Sequence, residues 1–161
     1  MLTVDRIRNA FKAIIESHRA GVAFISVWSI ALDDETAVKY PASIWKPIHT
    51  TSTITADLQF QDLFEVNIAF LEQTASDRVA DERDRAHDRS EAIARTCWQK
   101  FATMYILNSA TFEGVVFDFA RDAVARFTPS WDSTGQHRTG VTMNVTLRYQ
   151  GPAICLDDYF S

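Results

Sequence analysis

Apolar residues recur along this chain with two different periods, and the change falls in the middle. Phe64, Val66, Ile68 and Phe70 alternate with Glu65 and Asn67, which is the pattern of a strand with one buried face. A small polar corner, Gln73-Thr74-Ala75-Ser76-Asp77, follows. Beyond it Ile93, Cys97, Phe101 and Met104 recur at three- and four-residue spacing, as one stripe of a helix. Arg78, Asp81, Glu82, Arg83, Asp84, Arg85, Asp88, Arg89 and Glu91 make the first half of that helix strongly charged. Ser76 is placed to cap it and Asp77 to favour its dipole, so one helix is expected over 76–108. Pairs such as Asp81–Arg85, Glu82–Arg85 and Glu91–Arg95 would contribute about 0.2–0.5 kcal/mol each. Each large side chain of the apolar stripe contributes about 1.5–3 kcal/mol when buried. The second half therefore carries the packing, and the charged half is expected to project into solvent or to lie against another subunit.

The other segments assemble around this pair. Residues 2–17 form an amphipathic pattern, with Val4, Ile7, Phe11, Ile14 and Ile15 on one side, Thr3 as N-cap and Gly21 as the stop. The run 22–32 favours a strand, with a second helix as the alternative. Residues 38–48 read as extended, and Pro41 and Pro47 place them at a sheet edge or bulge. Polar, β-branched 49–55 reads as an exposed loop or ribbon reaching beyond the core, mobile in an isolated subunit. Residues 112–127 read as a strand broken near Arg121-Asp122, and 128–140 as a long polar loop. The clearest alternation closes the chain: Val141, Met143, Val145, Leu147 and Tyr149 face one way. A tail over 152–161 would dock on the body or on a neighbour. The predicted class is α+β, a mostly antiparallel sheet packed by an N-terminal helix and one long central helix, in a single domain over 1–161.

Composition narrows the partners. With 161 residues and 47% hydrophobic content the chain can bury one core. A net charge of −5, with both signs mixed, leaves no basic stripe for a phosphate backbone, so direct sequence-specific nucleic-acid binding is not expected. No apolar run is long enough for a membrane span, and the first residues lack a signal-peptide pattern. Expression in a cytoplasm-like compartment then makes Cys97 and Cys155 buried free thiols rather than a disulfide.

Candidate chemistry is sparse. His18, His49, His87 and His137 are scattered, without the close spacing of a helical zinc site. His87 with Asp84, Asp88 and Glu91 is the best metal candidate, set against a solvated or intersubunit charged face that suits the interleaved arginines better. Asp81 and Asp88 are flanked by arginines that keep them ionised, which is unsuited to acid–base work. No phosphate-binding glycine loop and no Gly-x-Ser-x-Gly elbow occurs. No catalytic residue, metal ligand or cofactor is assigned. Trp45 and Trp131 lie in irregular stretches where large aromatics anchor interfaces; for Trp45 a core or edge-strand role stays equally open.

Several stretches together carry a resemblance: Tyr40-Pro41-x-x-Ile44-Trp45-x-Pro47, then Val66-Asn67-Ile68-Ala69-Phe70-Leu71 leading through Asp77-Arg78 to Glu82-Arg83-Asp84, the helix after it, and a closing strand over 140–147 followed by Cys155. In this order the chain resembles the tail-completion or tail-terminator and neck proteins of tailed bacteriophages, over about two thirds of its length from Tyr40 onward. The run 22–32 and the ribbon after Ile48 depart from that pattern. The resemblance implies a non-enzymatic virion protein, made in the host cytoplasm. It implies a homo-oligomeric ring, six- or twelve-fold, at the head–tail junction or tail end, against tail-tube, connector or portal proteins. Asp81, Arg85, Asp88, Arg89, Trp131 and Trp45 are then the expected subunit-interface residues. The alternative is a small metal- or ligand-binding enzyme domain with a site between sheet and long helix, using His87, Asp88 and Trp131.

Overall fold

The computed structural model describes residues 2–26, 39–57, 59–74, 80–131 and 138–150. Within them the protein is α+β. Helix α1 (Val4–Glu16) precedes strand β1 (Ala23–Ser26), the long strands β2 (Ala42–Ile54) and β3 (Phe60–Gln73), and helix α2 (Ala80–Phe101), which runs on as a π-helical segment, Ala102–Leu107. A two-stranded hairpin, β4 (Thr111–Phe112) and β5 (Val115–Val116), then leads to β6 (Val124–Trp131) and β7 (Arg138–Tyr149). The main sheet has the order β1-β2-β3-β7-β6. β1 pairs with β2 in parallel and every other pairing in it is antiparallel.

Both helices cover one face of that sheet. Phe64, Val66, Ile68 and Phe70 of β3 are all buried there, opposite Leu147, Val145, Met143 and Val141 of β7. Helix α1 starts at Thr3, whose hydroxyl accepts from the Arg6 N–H at 3.4 Å, and it buries Ile7, Ala10, Phe11, Ile14 and Ile15. The two helices meet through Phe11 and Phe101, whose rings stack with centroids 3.9 Å apart. From Phe101 an aromatic chain runs through Tyr105, Phe117 and Phe119 to Tyr149. On the opposite face a smaller cluster joins Ile44, Ala69 and Leu71, with Tyr40 against it. Strands β3 and β7 leave no room for a side chain at Gly140. A Cβ there would lie 1.8 Å from the Phe70 carbonyl oxygen, so only glycine fits.

The structure departs from the sequence reading at several points. The predicted central helix changes character at its end: the Asn108 N–H bonds to the Thr103 carbonyl at 3.1 Å, five residues back. That wider turn rotates Tyr105 and Ile106 into the core and leaves Met104 only half-buried. The N-terminal residues 76–79 of the expected helix, with the Ser76 cap, lie outside the described residues. Its charged half neither projects freely nor stands off the body. Ala86 and Ser90 are buried against the chain's own sheet, because small side chains let the helix settle closely, and only the outer face stays exposed. Of the broken strand expected over 112–127, the break near Arg121-Asp122 holds and β6 follows it from Val124, but the first part is a tight hairpin. Glu113 and Gly114, both at positive φ (49° and 77°), make the reversal. Most of the loop expected over 128–140 is strand, since Thr128–Trp131 pairs with Thr139–Thr142; residues 132–137 lie outside the described residues. So do 27–38, most of the run 22–32, and the tail with Cys155.

Candidate functional site

Two surface features sit at opposite ends of the β2–β3 pair. The first is an arm. Past the register shift between Pro47 and His49, residues 49–54 of β2 pair with 60–65 of β3 and are all exposed, so the ribbon alternative for 49–55 holds. Asp62 is the last β3 residue to pair with β7, at Tyr149. Beyond it the two strands run on as a bare hairpin. Its turn is closed by hydrogen bonds between Thr55 and Gln59: Thr55 N–H donates to the Gln59 carbonyl at 2.8 Å, and Gln59 N–H donates to Thr55 Oγ1 at 3.2 Å. Ile54 and Phe60 face each other across it, 63% and 62% exposed. They are the two most exposed large apolar side chains among the described residues. Asp57, in the turn, is exposed as well.

The second feature is a cleft of about 850 Å³ between the C-terminal end of α1, the middle of α2 and the far end of the β2–β3 pair. Ile14, Ile93 and Cys97 floor it, and Ser17, His18, Arg19, Thr96 and Lys100 stand at its sides. One wall is held by a relay across the helices. The Thr96 hydroxyl donates to the Ala92 carbonyl at 2.8 Å and so accepts from His18 Nε2 at 3.0 Å. His18 Nδ1 in turn accepts from the Ala20 N–H at 3.2 Å. The other wall is tied by Arg89, whose Nε and terminal nitrogen both reach one Glu72 carboxylate oxygen, at 2.8 and 2.6 Å. That hydrogen bond raises the Arg89 pKa further. Among the described residues Glu72 is the only carboxylate in the lining, and with Arg89 on it Arg19 and Lys100 leave that part of the rim positive. Burial pushes the Cys97 thiol up to about 12, which makes it a poor nucleophile at neutral pH.

The residues proposed from sequence fall in different places. Asp81, Arg85 and Asp88 lie exposed on the outer face of α2, and the expected Glu91–Arg95 pair is formed at 2.6 Å. Arg95 also lies over the Phe127 ring at 4.7 Å, joining α2 to β6. Arg89 is committed to Glu72 within the same chain. Trp45 is corrected: it is 1% exposed, packed near Phe11 and Phe24, and so fills the core rather than anchoring a partner. Trp131 ends β6 opposite Thr139, and its side chain lies outside the described residues.

His87 sits on the flank of α2, 3.7 Å from Asp88 Oδ1 and 4.0 Å from Glu91 Oε2, both too long for hydrogen bonds. Among the described residues no three His, Cys, Asp or Glu side chains are grouped to hold a metal ion, and no helix is long and apolar enough to cross a membrane. Sequence reasoning missed Ile54, Phe60, Arg19 and Lys100. By alternation Phe60 belongs to the same face as Phe64 and Val66; only the length of the neighbouring elements decides that it stays 62% exposed. No protein-family model matches the chain, and no curated protein matches it.

Proposed function

We propose that the protein is a non-enzymatic structural subunit of a tailed-phage virion. It assembles as a homo-oligomeric ring, six- or twelve-fold, at the head–tail junction or tail end, against tail-tube, connector or portal proteins. The observation that carries this reading is the exposed Ile54–Phe60 pair on an arm that outruns the core. A closed ring needs two unlike patches on each subunit, and large apolar residues held out from the body in this way mark an interaction surface. The exposed outer face of α2, with Asp81, Arg85 and Asp88, is the second surface of the reading, with Arg89 at its edge. Made in the host cytoplasm, such a subunit ends in the virion.

Light scattering combined with negative-stain imaging tests the reading. Rings are expected, either alone or on purified tail tubes or connectors. A chain that stays monomeric at high concentration and also fails to join tubes and connectors would sink it. Portal, capsid and tail genes are expected beside the gene for this chain.

A further inference from the structure

We infer that the arm of one subunit docks in the α1–α2 cleft of the next copy, a contact that rests on the ring reading and specifies its joint. The first ground is polarity. The arm ends in two largely exposed apolar side chains, Ile54 and Phe60, and the cleft offers an apolar floor of Ile14, Ile93 and Cys97 at the base of about 850 Å³ of open space. The second ground is charge. Asp57 is the sole charged residue over 53–61, and it lies in the exposed turn between those side chains. The cleft rim carries Arg19 and Lys100, while the one carboxylate among its described residues, Glu72, is taken by Arg89. An acidic, apolar-flanked tip thus matches a basic-rimmed apolar cleft.

The third ground is placement. Phe60 begins β3 and Glu72 lies near its end, so tip and cleft are separated by about 40 Å of strand at roughly 3.3 Å per residue. A subunit cannot insert its own arm into its own cleft across that distance on a continuous paired strand. Two complementary patches at opposite ends of one subunit make a head-to-tail contact, which closes into a ring when the rotation per step allows it.

The test uses the whole chain, with unlabelled and ¹⁵N-labelled protein mixed and treated with a zero-length carbodiimide. A mixed-isotope crosslink between the Asp57 and Lys100 peptides is expected. By light scattering, Asp57→Lys and Lys100→Asp alone each move the association midpoint to about tenfold higher concentration or more, and the charge-swapped pair of substitutions restores it. Ile54→Ser with Phe60→Ser, both at exposed positions, leaves the fold intact by circular dichroism and abolishes association.

A wild-type chain that remains monomeric at its highest soluble concentration overturns this contact, and leaves the ring reading to the tube and connector experiment. Oligomers indifferent to all of these changes also overturn it, and place the joint on another surface. Asp57 crosslinks found only to a tail-tube or connector protein overturn it by assigning the arm to an unlike partner.

Discussion

The two ends of the β2–β3 pair share one hydrogen-bonded ladder and meet opposite surroundings. At the Trp45–Ile68 end both residues are sealed, at 1% and 0% exposure. At the Ile54–Phe60 end the paired residues are bare. The backbone pairing is the same, so the difference lies in what packs on the ladder. The first end has α1, α2 and β7 against it, whereas β7 stops level with Asp62. Side-chain burial, rather than strand pairing, therefore fixes where the stability of this molecule resides. The bare end is free for contacts with other molecules because it contributes little to its own.

The largest way to break the sealed end is to empty its centre. Phe101→Ala removes the ring stacked on Phe11 and should cost about 3–5 kcal/mol, read as a lower urea midpoint with unchanged slope. A midpoint equal to wild type would show that the helices are not joined there. Next is Gly140→Ala, which sets a methyl against the Phe70 carbonyl and should cost about 1–3 kcal/mol through the forced shift of β7. Gly114→Ala is its control: no atom lies within 4 Å of that Cβ, and only the positive φ opposes it.

A smaller, pH-dependent effect comes from Cys97. Its thiol is raised from 9.0 to about 12 in the folded protein, so between those values the unfolded chain has lost its proton while the folded chain keeps it. Stability from this group is complete below pH 9 and falls as pH rises, by up to about 1.4 kcal/mol per pH unit. Denaturation at pH 8 and pH 10 should show the wild type losing more than Cys97→Ala. Equal losses would mean that the thiol ionises as easily folded as unfolded.

The smallest expected effect is at the bare end. Phe60→Ser should change the stability of the isolated chain by no more than about 0.5 kcal/mol. Hydrogen exchange should be orders of magnitude faster at 50–54 than at 64–70, because little must open to free the tip. Strong protection at the tip in a monomer would erase the contrast between the two ends.

Much of this architecture was legible in the residue pattern. The face made by Phe64, Val66, Ile68 and Phe70, the α1 stripe with its Thr3 cap, and the alternation of β7 all follow from local period, because each element buries one face and the period names it. Pro41 and Pro47 likewise marked a sheet edge or bulge, and a bulge occurs between Pro47 and His49. The π turn after Phe101 was not legible, since it puts Tyr105 against Phe112 and Phe117, a contact with the hairpin after the helix that the helical period does not record. For Trp45 the pattern left an interface and a core role equally open: a tryptophan between two prolines reads as irregular until β1 and β3 close on either side of it.

By itself, then, the sequence determined which residues share a face. Tertiary structure alone decided which of those faces find a cover. Phe60 and Phe64 carry the same side chain in the same phase of one strand, and one is 62% exposed while the other is 2% exposed. Burial depends on where other elements end in space, and that is a property of the assembled layers which no local period records.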